Sequence, residues 1–464
     1  MAARAARGSA QPGTGDPHPG LGPDGASRRA PGLRGGHAIE LLEGGGEFFP
    51  ALEAEIEGAS AEIHLETYIL HDDVSARRIV AALVRAAARG VVVRLAIDGF
   101  GTPHVPAALA AMLAGSSVQL RVFRPERDAA PLDRRRLRRL HRKLAVIDGR
   151  VAFIGGINLL DDLVDPNHGT LDAPRVDFAV RVHGPLVADA REAARRLWAR
   201  LEKRRLRRRL ASCRAERGAR QARTAGPAGH RDAATTAMPA EPSKPPGAAL
   251  ATSDAPVKGR PRRRRGAGRI FDGLRAMLLL RDNVRHRRAI ERAYLAAIGA
   301  AQREILIANA YFFPGLRLRR ALVRAAGRGV RVTLLLQGRV EYRLQHYASQ
   351  ALYDELLGAG VRIIEYASSF LHAKVAVADD WATVGSSNID PFSLLLAREA
   401  NVVVHDAEFA AHLAARIASA IAHGGRPVHS HHHARRPLPM RVANWMAFAL
   451  LRAGVALSGR ASRW

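Results

Sequence analysis

The stretch HRKLAVIDGRVAFIGGIN, residues 141–158, decides the fold together with its echo HAKVAVADDWATVGSSN at 372–388. His141, Lys143 and Asp148 in the first copy have the same spacing as His372, Lys374 and Asp379 in the second. Gly155 and Asn158 complete the first copy, Gly385 and Asn388 the second, with a one-residue difference in the Asp-to-Gly gap that a turn absorbs. Successive side chains on a strand face opposite ways, so His141 and Lys143 project together while Leu144 and Val146 pack on the other side. Asp148-Gly149 is a turn signal, and RVAFIG reads as the returning strand. Asn158 then ends up near the start of the hairpin. Each half offers an imidazole, an ammonium and a carboxamide to one spot.

Working outward, the rest of the two halves also repeats. LVRAAARGVVVRLAIDG (83–99) matches LVRAAGRGVRVTLLLQG (322–338), and MLAGSSVQLRVF (112–123) matches LLGAGVRIIEY (356–366). FFPALEAEIEGASAEIHLETYIL (48–70) and RRAIERAYLAAIGAAQREILIANAYF (287–312) each read as a helix followed by a strand. Helices alternating with β-branched strands predict an α/β protein of two similar domains. Their expected spans are 37–200 and 270–422, each a mixed sheet flanked by helices, packed pseudo-symmetrically around one active site.

Between them, 201–269 is basic and then rich in Pro, Gly and Ala, and reads as a largely disordered linker with a helical start. Residues 1–36 read as a disordered leader without an apolar signal core. Residues 423–464 read as a His/Arg-rich segment and an amphipathic helix. The run GGG at 44–46 reads as a loop. HSHHHARR (429–436) reads as a solvated stretch, with metal binding as its alternative.

The 464 residues carry 72 Lys+Arg against 43 Asp+Glu, a formal charge of +29, which favours polyanionic partners, either nucleic acid or an anionic membrane. The single cysteine, Cys213, excludes an intrachain disulfide framework and any cysteine-built metal site. No apolar run is long enough to span a bilayer. The segment MRVANWMAFALLRAGVALSGRASRW (440–464) suits either a helix lying in a membrane interface or one packed on the protein's own core. RRRLRR (134–139) stands just before His141, placed to hold an anionic headgroup.

The twin H-x-K-x-x-x-x-D motif with its downstream G-x-x-N resembles the phospholipase D superfamily. RDNVRHRRAIERAYLAAI (281–298), ILIANAYFFPG (305–315) and LAREANVVV (396–404) resemble bacterial cardiolipin synthases of the type without N-terminal transmembrane helices. That resemblance implies phosphatidyl transfer through a phosphohistidine. Phosphatidylglycerol, or phosphatidylethanolamine as another donor, reacts with a hydroxyl of phosphatidylglycerol. His141 and His372 would serve as nucleophile and acid/base, with the order open. Lys143, Lys374, Asn158 and Asn388 would hold the phosphate oxygens. So would Ser386, whose counterpart is Gly156, so that one such hydrogen bond is expected to be weaker or replaced in the first half.

The resemblance also suggests Asp177 as orienting carboxylate for the first half and Glu399 for the second. Asp148 and Asp379 belong to the catalytic motif but are expected to brace the turn. Two ammonium groups stand where other enzymes use a metal, so no metal and no cofactor is called for. The implied location is peripheral, on the cytoplasmic face of a bacterial inner membrane. A phospholipase D-type phosphodiesterase or a metal-independent nuclease is the alternative, though aromatic side chains for base stacking are few at 5 %. The sequence names no protein partner.

Overall fold

The computed structural model describes residues 32–125, 138–224, 268–282, 286–391, 393 and 396–456. Residues 1–31, most of the linker (225–267) and the arginines of 134–137 lie outside the described residues.

One 15-stranded sheet runs through both halves. From the centre outward, the first half contributes Arg34–Glu43, Phe178–His183, Val151–Gly155, Lys143–Ile147, Glu62–Thr67, Val92–Asp98 and Gln119–Phe123. The second half runs the other way in the same order: Ile270–Arg281, Glu399–His405, Trp381–Gly385, Lys374–Ala378, Glu304–Asn309, Arg331–Gln337 and Arg362–Tyr366, with Gly425–Pro427 added at its edge. The outer three repeat-derived strands of each half are parallel, as helix crossovers require, and the rest are antiparallel. The halves meet where Arg34–Glu43 pairs antiparallel with Ile270–Arg281, Arg34 opposite Ala276 and Glu40 opposite Ile270. The first strand therefore opens inside the stretch assigned to the leader.

Helices cover both faces. Val74–Ala88 starts on Asp73, whose carboxylate accepts from Ala76 N, and Ala407–Gly424 starts on Asp406, which accepts from Phe409 N. One core spans the junction, joining Ile39, Phe178 and Val180 of the first half to Leu278, Val402 and Phe409 of the second. The opposite faces carry separate cores, around Phe49, Ile79 and Phe153 in one half and Ile290, Leu322 and Leu334 in the other. Lys143–Ile147 and Lys374–Ala378 are buried along their whole length, so both hairpins are rigidly held.

Two local expectations are corrected. Gly44–Gly46 forms the first turn of the helix Gly44–Glu57 rather than a loop. Its Gly45 N–H donates to Asp162, and a Cβ at Gly44 would stand 2.9 Å from that carboxylate. The histidine-rich stretch is not simply solvated: Ser430–Ala434 is a short helix, and His433 is buried against Tyr353 and Gln350. Among the described residues no cluster of His, Cys, Asp and Glu has metal-binding geometry.

Candidate active site

His141 and His372 stand two residues before the first strand of each hairpin. Their backbones are fixed from the other half. His141 N donates to Arg398 O and Arg398 N to Arg139 O; His372 N donates to Val176 O and Val176 N to Phe370 O. These two short parallel bridges, Leu140 with Arg398 and Val176 with Leu371, bring each histidine to the strand of the opposite repeat.

The side chains follow the same exchange. His141 Nδ1 lies 3.0 and 3.2 Å from the two oxygens of Glu399, and His372 Nδ1 lies 2.6 Å from Asp177 Oδ2. The sequence reading assigned each carboxylate to its own half. The structure pairs them crosswise, because the residue just before each carboxylate, Val176 or Arg398, is bridged to the residue just before the other half's histidine. A carboxylate on Nδ1 leaves Nε2 as the reactive nitrogen of each ring.

Lys143 and Lys374 are buried behind the rings. Lys143 Nζ donates to His141 O at 2.8 Å, and Lys374 Nζ donates to His372 O. Lys374 Nζ also lies 3.8 Å from Asp177, and Lys143 Nζ sits 5.3 Å from the centre of the Tyr68 ring. Burial pushes Lys143 down to about 7 and Lys374 down to about 8; the Glu399 and Asp177 carboxylates oppose the shift, and Lys374 adds to it for Lys143. Burial also holds His372 well below the ordinary histidine value, helped by Lys374 and Lys143. For His141, burial lowers the value and Glu399 works against it. Burial raises Asp177 to about 6 against the pull of Lys374. The charges of the two halves thus act on one another across a single site.

The remaining motif residues divide. Asp148 does not enter the site: it takes the left-handed conformation (φ 50°) and accepts from Ser60 N, Ala61 N, Glu62 N and Ser60 Oγ. Burial resists, but those donors hold its carboxyl down at about 2. Asp379 repeats this with Gln302, Arg303 and Glu304. Asn158 and Asn388 are both buried, and Asn158 Oδ1 accepts from Ile69 N, which leaves its NH₂ group for other use.

Ser386 corrects the phosphate-binding expectation. Its fully buried hydroxyl donates to Glu399 Oε2 at 2.6 Å and accepts from Ala400 N, so it steadies a carboxylate. Gly156 stands at the matching place because a Cβ there would fall within 2.7 Å of Asp177 Cγ. Asp177 fills the volume a serine side chain would occupy and takes its hydrogen bond from Phe178 N instead.

Sequence reasoning missed two supports. Leu140 N donates to Asp98 Oδ2 at 2.6 Å, and Leu371 N donates to Gln337 Oε1 at 2.9 Å. Each side chain anchors the residue just before a histidine. The repeat alignment carries this signal, since 83–99 laid on 322–338 puts Asp98 opposite Gln337. A cavity of about 240 Å³ opens beside His372, walled by Tyr68, Asn158 and Arg175 from one half and Glu341 and Tyr342 from the other.

Comparisons with known proteins agree with this architecture. The family model described as "Cardiolipin synthase, PLD-like domain" matches twice, at residues 52–171 and 294–421. The chain is 37 % identical to cardiolipin synthase B of Salmonella typhi over 391 residues, 82 % of this chain and 79 % of that protein. It is 36 % identical to cardiolipin synthase B of Escherichia coli K12 over 389 residues, 81 % of this chain and 78 % of that protein. Among solved structures, phosphatidylserine synthase of Haemophilus influenzae superimposes with a TM-score of 0.58 at 12 % identity, covering 90 % of this chain and 94 % of that one, a likeness of fold. With two matched repeats, each supplying one histidine–lysine pair to a shared site, the chain belongs to the cardiolipin synthase family of phospholipase D-like proteins.

Proposed function

We propose that this protein is a cardiolipin synthase, a phosphatidyltransferase that works by double displacement. The observation that carries the reading is the crosswise pairing of two imidazoles with two buried carboxylates, next to two buried ammonium groups. One histidine Nε2 attacks phosphorus of phosphatidylglycerol; a P–N bond forms and the P–O bond to the headgroup glycerol breaks. The other histidine gives its proton to the departing glycerol oxygen. It then takes the proton of a hydroxyl on a second phosphatidylglycerol, whose oxygen attacks phosphorus and breaks the P–N bond. Atoms balance as two phosphatidylglycerols to cardiolipin and glycerol.

Lys143 and Lys374 neutralise the non-bridging oxygens, where charge concentrates in transfer at phosphorus, and the amide NH₂ groups of Asn158 and Asn388 add donors. Burial supports the nucleophilic role by favouring a neutral imidazole. Glu399 and Asp177 hold each ring in the Nδ1–H tautomer. The donor is phosphatidylglycerol in this reading, with phosphatidylethanolamine as a second donor of the same chemistry. The protein acts as a peripheral enzyme on the cytoplasmic face of a bacterial inner membrane; among the described residues no helix is long and apolar enough to cross a membrane.

The test is lipid mass spectrometry in a bacterial host stripped of its own cardiolipin synthases. Expression of this chain restores cardiolipin, and the His372→Ala form does not. Nicking of plasmid DNA in chelator, with no change in lipids, would instead assign the site to nucleic acid.

A further inference from the structure

The helix Leu438–Val455 is apolar on two opposite sides. One side carries Asn444, Ala447, Phe448 and Leu451, spaced to form one stripe. It packs on Phe313, Ala348 and Leu352, so the helix lies against Arg343–Gln350. The other side carries Leu438, Val442, Trp445, Met446 and Leu450, which face outward with Trp445 at 54 %, Met446 at 68 % and Leu450 at 63 % exposure. A surface helix ordinarily turns polar residues outward, so this face lacks its partner.

Two further observations identify the partner. The supporting helix begins directly at the catalytic cavity: its N-cap is Tyr342, a cavity-wall residue that is itself half exposed. Val340, Tyr342 and Leu344, at and just before the start of that helix, are exposed apolar side chains, and Phe100 adds an exposed ring from the other half on the cavity wall that Tyr342 shares. The helix also has no acidic residue, and Arg441 and Arg452 fall on one flank of its exposed face. An apolar face edged by arginine matches acyl chains beneath anionic headgroups. A second copy of this chain is a poor match, since each copy carries a formal charge of +29.

We infer that the outer face of Leu438–Val455, together with the rim Phe100, Val340, Tyr342 and Leu344, is a docking surface for an anionic phospholipid bilayer. It lies flat in the interface and turns the catalytic cavity toward the lipid. The inference rests on the phosphatidyltransferase reading for its substrate and goes beyond it by assigning the surface that meets the membrane.

The experiment compares the full chain with a Trp445→Ser/Met446→Ser/Leu450→Ser variant, which spares the packed stripe. Binding is measured by sedimentation with phosphatidylglycerol/phosphatidylcholine vesicles. Turnover is measured on phosphatidylglycerol in those vesicles and on short-chain phosphatidylglycerol dissolved as monomers. The expected result is a loss of vesicle binding and vesicle turnover of about tenfold or more, with monomer turnover held within about twofold. Unchanged vesicle binding overturns the inference, as does loss of a dimer in place of loss of vesicle binding.

In case the variant folds poorly, Trp445 fluorescence in the otherwise native chain is read against Trp445→Phe with brominated lipid in the vesicles. Quenching of the Trp445 component supports the inference, and its absence overturns it. Native protein that binds vesicles but turns over neither form of phosphatidylglycerol defeats the functional reading alone.

Discussion

Binding of a phosphodiester anion between Lys143 and Lys374 should draw protons from solution, by an amount set by pH. Burial holds the free site's ammonium groups at about 7 and about 8. At pH 8.5 those two groups together hold about 0.3 proton in the empty site. An anion seated against both restores their ordinary basicity, so binding at pH 8.5 takes up about 1.7 protons. At pH 6 both lysines are already charged, and their share of the uptake falls to about 0.1. The sign follows from the direction of the shifts: the cationic form is the one that binds, and it is lost as pH rises through the depressed values. Affinity for the anion therefore weakens about a hundredfold between pH 6 and pH 8.5.

The assay is titration calorimetry with a water-soluble phosphonate analogue of phosphatidylglycerol in which carbon replaces the leaving oxygen. Such a ligand neither reacts nor titrates in this range. Running each pH in two buffers of different ionisation enthalpy yields the proton count. Uptake below about half a proton at pH 8.5, or affinity that stays flat from pH 6 to 8.5, would refute the idea that buried lysines supply the charge.

Two other substitutions probe the scaffold. Gly156→Ser copies the second half's Ser386 into the first. It should lower turnover at least about tenfold, read by a steady-state assay, because its side chain displaces Asp177 and so disturbs His372 across the interface. Asp148→Ala should lower the unfolding free energy by about 2–3 kcal/mol in denaturant melts while turnover per folded molecule stays within about threefold. Since the Asp148 carboxyl lies at about 2 in the folded protein, below its ordinary value, its stabilisation is present above about pH 4 and disappears as pH falls toward 2; the variant should show a flatter acid limb.

Much of this was legible in the sequence because the repeat recurs at two levels: helix–strand order and the spaced motif. Period-two alternation put His141 and Lys143 on one side of a hairpin, and the Asp-Gly signal marked Asp148 as a turn residue, though not that its carboxylate would tie down the backbone of Ser60, Ala61 and Glu62. What the sequence hid was contact between distant segments. Nothing local tells Asp177 to orient His372 rather than His141, since strands of both halves exchange partners only once the two repeats meet. Ser386 was misread for the same reason: a hydroxyl beside a phosphate site looks like a ligand until the buried Glu399 that claims it comes into view. Asp98 and Gln337 were aligned by the repeat, but a carboxylate and an amide at matching places gave no chemical hint that both anchor a backbone N–H. The glycine run opened a helix because Asp162, over a hundred residues away in sequence, takes its free N–H.

The ladder joining Arg34–Glu43 to Ile270–Arg281 has a consequence for traffic through the enzyme. Clamshell opening would have to tear central hydrogen bonds and split the hydrophobic interior that both repeats share. A hinged gape is thus closed to this scaffold. Glycerol is small and water-soluble and can diffuse away, whereas a four-tailed product would have to leave sideways into the bilayer. Product release would then proceed without any parting of the two lobes.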